Sequence, residues 1–159
     1  MDDVAIARAL HVLAVVVWVG GVAMVTTVFL PLVRRSQGAA ERLALFDAVE
    51  QRFIGQARVA TIVVALTGFY MVWRLNLWDR FSDARFWWMH AMVCVWALFS
   101  LVLFVLEPLI LHRLLHRRAL ASSDATFALL HRAHWLLLGL SLVTVFAAVA
   151  GSNGMSLSF

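Results

Sequence analysis

The sequence contains no lysine, although it has 13 basic residues. Every basic side chain is therefore an arginine, and the formal net charge is +4. In a soluble protein, a sequence pI near 11.0 would suggest nucleic-acid binding. Here the arginines stand at the ends of apolar runs, where they are typical of topology signals and contacts with lipid headgroups. We therefore expect a lipid bilayer as partner and no nucleic acid.

Cysteine and charge are scarce as well. The one cysteine, Cys94, lies inside an apolar run, which excludes a disulfide framework and a CxxC redox or zinc motif. Charged residues make up 14% of the chain and hydrophobic residues 64%, whereas soluble domains are about half apolar. No basic region precedes the first apolar run, so we expect that run to be a retained span rather than a signal peptide. The composition predicts one integral membrane domain over residues 1–159.

Four apolar runs are long enough to cross a bilayer, since a spanning helix needs about 20 residues. Backbone polar groups must be paired internally in lipid, so the runs are predicted to be helices rather than strands. The expected fold class is all-α, an integral membrane four-helix bundle. The predicted spans cover approximately residues 5–33, 54–78, 86–111 and 127–150.

The connections between the spans carry most of the arginines. Nine lie in 34–58, in 112–126 or just inside the fourth span, and four lie on the opposite side. The positive-inside rule then predicts a multi-pass protein of the inner (plasma) membrane with both termini outside. The stretch Ala39 to Gln51 is amphipathic, which predicts either a helix at the interface or an early extension of the second span.

Two histidines stand inside the apolar runs at similar predicted depth, His11 in the first and His90 in the third. Helical spacing places Trp18 on the face of His11 and Ala97 on the face of His90. An ionisable side chain inside a span is a functional candidate by default. An apolar slot with one imidazole on each wall would suit the iron of a b-type haem, which takes axial nitrogen ligands.

Three arginines lie beside this predicted slot, namely Arg8, Arg74 and Arg85. A guanidinium group matches a carboxylate, so we expect these arginines to hold the haem propionates. A copper or other metal site held by His11 and His90 is an alternative, as is a structural or proton-relay role for the two rings.

The remaining histidines lie near the arginine-rich edge. His112 and His116 share one helix face, and His131 and His134 share another, so His112, His131 and His134 could form a second metal or haem site. We favour a solvated helix end instead. Glu107, before the helix-kinking Pro108, is predicted to be a quinone-site or proton-transfer carboxylate, or to pair with an arginine such as Arg113; we favour the pair.

Several short motifs, in order, resemble those of the HemJ-type protoporphyrinogen oxidases and, more loosely, the membrane domain of CopD-type copper-resistance proteins. They cover residues from Ala9 to Leu111, and the fourth span matches poorly. The motifs are Leu10-His11 with Trp18, Gly20 and Phe29-Leu30-Pro31, then Phe46 with Val49-Glu50-Gln51-Arg52-Phe53, then Gly68, and finally Trp88-Met89-His90-Ala91-Met92. The resemblance implies haem b on His11; at Met92, however, the HemJ pattern has lysine.

The expected function is that of a redox protein, a haem-dependent oxidoreductase with its haem between spans one and three. It would pass electrons between a porphyrinogen, a quinol or another small donor and a partner in the membrane. The alternatives are a CopD-like protein that handles or transports copper, and a non-catalytic accessory subunit. A homo-oligomer or a larger membrane complex is compatible with either, since lipid-facing and partner-facing surfaces look alike in sequence.

Overall fold

The structure, a computed structural model, describes residues 2–36, 38–111 and 123–154. Within these ranges all regular elements are helical and no strand is present. Four helical segments are long and apolar enough to cross a membrane. The prediction of an all-α, four-helix membrane bundle is confirmed.

The four spans are built as follows. Span one combines α1 (Asp2–Met24), a π-helical turn (Val25–Phe29) and α2 (Leu30–Arg35), and span two is the single helix α3 (Ala39–Arg74). Two 3-10 turns, Trp78–Ser82 and Ala84–Phe86, lead into span three, which combines α4 (Trp87–Leu101) and a π-helical segment (Val102–Leu111). Span four is α5 (Ser123–Ser152).

Large apolar side chains cover the outside of the bundle. Leu136 is 76% exposed, Phe146 68% and Leu66 66%. A helix that is apolar all round, with much of that surface uncovered, requires an apolar solvent. The exposed faces are therefore those that a bilayer would cover.

Span two is longer than the hydrocarbon it has to cross. Its 36 residues form one continuous helix, about 54 Å long at 1.5 Å per residue, against a hydrocarbon core of about 30 Å. The amphipathic stretch from Ala39 is thus the early extension of span two and not a separate interfacial helix. The helix ends at Arg74, before the predicted boundary, and Asn76 takes the left-handed conformation (φ 51°) that asparagine tolerates after a helix end.

The spans run up and down, so Asp2 and Gly154, the first and last described residues, lie at one end of the bundle, here called the terminal end. The other end, reached by Arg34, Arg42 and Arg132, is called the arginine-rich end. Spans one and two pack together, as do spans three and four, and spans one and four and spans two and three complete a square. Spans one and three are therefore diagonal neighbours.

The core has two parts. The first lies midway along the bundle, where Trp18 packs edge-on against Phe99 across the diagonal, with ring centroids 4.8 Å apart. The second lies at the arginine-rich end, where Phe46 and Phe127 join spans two and four at 5.7 Å. Aromatic pairs in this geometry add about 0.5–1.5 kcal/mol to the stability gained by burial.

Candidate functional site

His11 lies half-buried against span two. Its Nδ1 is 3.1 Å from the carbonyl oxygen of Val64 and 3.0 Å from the hydroxyl oxygen of Thr67. The carbonyl can only accept, so Nδ1 carries the proton and donates. The Thr67 hydroxyl donates to the carbonyl of Val63 at 2.6 Å, which leaves its oxygen to accept from His11. The ring is thereby fixed in one tautomer, whose Nε2 retains a free electron pair.

Gly68 provides the room for this ring. A Cβ atom at Gly68 would lie 3.3 Å from His11 Cε1, closer than most real Cβ contacts. The imidazole can approach the backbone of span two at this turn because the glycine has no side chain. Gly68 therefore allows the close approach of His11 to span two.

His90 has different surroundings. It lies in the first turn of α4 and is exposed, with its ring edge-on to Phe81 of the preceding 3-10 turn at a centroid distance of 5.4 Å. No hydrogen bond to His90 is found among the described residues. Both of its ring nitrogens are therefore available to a ligand.

The structure gives the two histidines separate partners. His11 turns towards span two, whereas the predicted slot would place it opposite span three. Trp18 belongs to the closed core, with its indole Nε1 buried and without a partner in the described part of the chain, and Ala97 is exposed. A shared site for His11 and His90 stays a prediction.

The arginines predicted to hold propionates differ in their engagement. Arg74 donates to Asp3 at 3.1 Å, and the Tyr70 hydroxyl donates to the same carboxylate oxygen at 2.7 Å. Arg8 is exposed, one turn before His11, and forms no ion pair with any described residue. Arg8 is thus the arginine beside His11 that keeps its donors free.

Arg85 is held by a neighbouring carboxylate. Its guanidinium donates to Asp83 at 2.7 and 2.9 Å, and its backbone N–H donates to the same side chain. These bonds hold the pKa of the Asp83 carboxyl below its usual range. Since the pair closes the 3-10 turn before α4, the local role of Arg85 is structural.

The histidines of span four bind protein groups. The Nδ1 of His134 lies 3.0 Å from the carbonyl of Leu130 in its own helix. His131 lies between Thr26, Arg34 and Trp135, so both of its ring nitrogens are within hydrogen-bond distance of other residues. The structure thus gives His131 a partner other than a metal, and His112 lies outside the described residues.

The contact of His131 with span one involves a backbone carbonyl that lacks its main-chain hydrogen-bond donor. In the π-helical turn, the N–H of Leu30 donates to the carbonyl of Val25, five residues back. The next such bond would reach Thr26 from Pro31, which has no N–H. The Nε2 of His131 lies 2.9 Å from this Thr26 carbonyl oxygen. In the tautomer whose Nε2 carries the proton, Nε2 donates to Thr26 and Nδ1 accepts from Arg34 at 3.4 Å; in the other tautomer, Nε2 accepts from the indole N–H of Trp135 at 3.0 Å.

A second proline has the same effect in span three. Pro108 lies inside the π-helical segment, so the carbonyl five residues earlier, that of Leu103, has no main-chain donor. Arg58 of span two supplies it, through Nε at 3.0 Å and Nη2 at 2.9 Å. The same guanidinium forms an ion pair with Glu107 at 2.8 Å. Glu107 thus pairs with an arginine, as we favoured, but with Arg58; Arg113 lies outside the described residues.

Sequence reasoning did not single out Arg58, Thr67 or the Val64 carbonyl. Arg58 carried a usable signal, because it follows the start of the second apolar run and a charge inside a span is a default candidate. The partners of His11 carried none, since a backbone carbonyl has no signature in a sequence and a threonine in a span is usually bonded to its own helix.

The described residues contain no group of three or more histidine, cysteine, aspartate or glutamate side chains that could hold a metal ion. Copper binding and the second metal site therefore stay predictions. Comparison with known proteins leaves the family likewise a prediction: no family model, no curated protein and no solved structure matches this chain.

Proposed function

We propose that the chain is a b-type haem protein of the membrane that works in electron transfer, in which His11 would bind the iron. The observation that carries this proposal is the bond from His11 Nδ1 to the Val64 carbonyl, 3.1 Å long. Histidines that bind a metal through one nitrogen almost always donate the other N–H to a carbonyl, a carboxylate or water. This bond leaves the electron pair of Nε2 free, as a ligand of iron requires.

The residues around His11 suit a haem in two further respects. Gly68 lets the imidazole approach the backbone of span two closely, which holds the ring in position. Arg8, one turn towards the terminal end, has an exposed guanidinium that would match a propionate. Because Arg74 and Arg85 are already bound to Asp3 and Asp83, Arg8 is the strongest candidate among the three.

His90 is proposed as the second residue that would bind the iron. Its ring is exposed and no described hydrogen bond would be lost on ligation. A bound haem would supply one-electron redox chemistry, with a potential that depends on axial ligation and burial. The chain's own contribution is to fix the His11 tautomer through Val64 and Thr67 and to place an arginine beside it. The substrate is a small reductant such as a porphyrinogen or a quinol.

The proposed location is the inner (plasma) membrane with the terminal end outside. This orientation rests on the arginines, which favour the cytoplasmic side of a bilayer. The exposed Trp73 and Trp78 at the terminal end fit the aromatic belt of the opposite interface.

An absorption spectrum of the detergent-purified protein, oxidised and then reduced with dithionite, tests the proposal. We expect a Soret band, which His11→Ala and His90→Ala should each abolish or shift. The matched control is His134→Ala, which removes a histidine bonded within its own helix and should leave the band unchanged. A folded wild-type protein that is colourless and free of iron would refute haem binding.

Thr67→Val separates ligation from packing. This variant keeps the side-chain shape and the Val64 carbonyl but removes one acceptor of His11 Nδ1. We expect the band to persist and the reduction potential to rise, because a less strongly hydrogen-bonded imidazole is a weaker electron donor. An unchanged potential would contradict the assigned role of this hydrogen bond.

A further inference from the structure

A groove runs between spans one and two towards the arginine-rich end, on the outer surface of the bundle. Its volume is about 390 Å³. It is lined by Gly21, Met24, Ala48, Val49, Arg52, Phe53 and Gln56. Most of these side chains are apolar, and Arg52 is the one charged member.

The floor of the groove exists because Gly21 has no side chain. A Cβ atom at this position would lie 2.5 Å from Cε2 of Phe53, so the Phe53 ring occupies the space that it would take. Gln56 lies one turn further along span two, with its amide 3.5 Å from the carbonyl of Val17. The groove therefore has an apolar floor with an amide beside it.

Arg52 is a cation without a counter-ion in the described part of the chain. Its side chain is exposed and forms no hydrogen bond or ion pair with residues 2–36, 38–111 or 123–154. In contrast, Arg42, Arg58, Arg74 and Arg85 each pair with a carboxylate. The free donors of Arg52 suit an anion that comes from outside the chain.

The depth of Arg52 indicates where that anion lies. Arg52 and Arg74 stand on the same continuous helix, about 33 Å apart along its axis at 1.5 Å per residue. This separation is close to the hydrocarbon thickness of about 30 Å. With Arg74 at one interface, Arg52 reaches the other, where lipid phosphates lie.

We propose that this groove binds an anionic phospholipid, with the phosphate on Arg52 and an acyl chain along Gly21, Met24 and Phe53. Basic pockets between spanning helices are typical sites for anionic headgroups. A quinone would match the apolar floor, but it carries no charge for Arg52. This inference does not depend on haem binding.

Native mass spectrometry of the purified full-length protein tests the site. Phosphatidylglycerol and phosphatidylcholine are added at equal concentrations, and the bound fraction of each is measured. We expect retention of phosphatidylglycerol to exceed that of phosphatidylcholine about fivefold, the effect of one arginine near an anionic lipid surface. Arg52→Gln should remove this preference, and Ala48→Trp, which fills the groove, should lower the retention of both lipids.

The matched control is Arg132→Gln, which removes an exposed arginine of span four near the same, arginine-rich end of the bundle. It should leave the preference unchanged; an equal loss in both arginine variants would show general attraction and overturn the site. Inorganic phosphate is added in a separate competition experiment. If it displaces phosphatidylglycerol at equal concentration, the site takes a free anion and the proposal is wrong. Failure of phosphate to compete supports a lipid held by both its headgroup and its chain.

Discussion

Spans one and three contain the chain's two prolines, Pro31 and Pro108, and the structure responds to each in the same way. In both spans a π-helical stretch surrounds or precedes the proline, and the carbonyl five residues earlier loses its main-chain donor. In both, a polar side chain from a neighbouring span lies within hydrogen-bond distance of that carbonyl: His131 of span four at Thr26, and Arg58 of span two at Leu103. These contacts connect span one to span four and span two to span three.

The two responses differ in charge. The Thr26 carbonyl oxygen lies 2.9 Å from the imidazole Nε2 of His131, a side chain without the fixed charge of a guanidinium. The Leu103 carbonyl receives the guanidinium of Arg58, a charge that needs compensation where water is scarce. Glu107 supplies it, with a side chain only 18% exposed. The carboxylate in span three is thus explained as the counter-ion of Arg58.

Loss of the side-chain partner should lower the free energy of unfolding more at the Leu103 carbonyl than at the Thr26 carbonyl. Arg58→Met keeps most of the aliphatic stem but leaves the Leu103 carbonyl without a donor and Glu107 without a counter-ion. We expect a loss of about 3 kcal/mol in unfolding free energy, at the low end of the range for buried pairs because Arg58 is 35% exposed. Titration with sodium dodecyl sulfate, followed by circular dichroism, measures this loss.

Arg132→Met is the matched control for this substitution, since Arg132 is exposed on span four. Surface substitutions usually change stability by less than about 0.5 kcal/mol. If Arg58→Met costs no more than this control, Arg58 does not stabilise span three and the proposed role of Glu107 as its counter-ion is wrong.

Substitution of His131, at the Thr26 carbonyl, should lower the free energy of unfolding less. His131→Leu removes the imidazole beside the Thr26 carbonyl but leaves no carboxylate without its partner, so we expect a loss of about 1 kcal/mol, that of one hydrogen bond. The same titration measures it. His134→Leu is the control, because the hydrogen bond that the described residues give His134 lies within its own helix and its loss should cost less. A cost for His131→Leu that equals the cost for Arg58→Met would remove the distinction between the two sites.

The fold was largely predictable because hydropathy alone determines how many helices cross a bilayer. The number of spans and the all-α class follow from four long apolar runs. The beginning of span two was not predictable from the same signal, because Glu41, Arg42, Asp47 and Glu50 interrupt the hydropathy of a helix that continues through them. These charges are compatible with a helix that extends beyond the hydrocarbon.

The candidate site was predictable only in part. His11 stands out as an ionisable residue in a span, but its partners Val64 and Thr67 follow from the rotation of span one against span two. Hydrophobic periodicity does not give that rotation when a helix is apolar on every side. Likewise, Pro108 predicts a broken bond, yet the identity of the donor that replaces it depends on which span lies alongside.

Pro108→Ala tests whether the missing N–H is the reason for the contact with Arg58. Alanine at this position restores a main-chain donor near the Leu103 carbonyl. In the Arg58→Met background, Pro108→Ala should therefore recover about 0.5–1 kcal/mol more than it does in the wild type, where the guanidinium already serves the carbonyl. A double-mutant cycle on the same titration gives this coupling. Equal effects in the two backgrounds would show that Arg58 stabilises Glu107 alone, since only the carbonyl responds to the restored N–H.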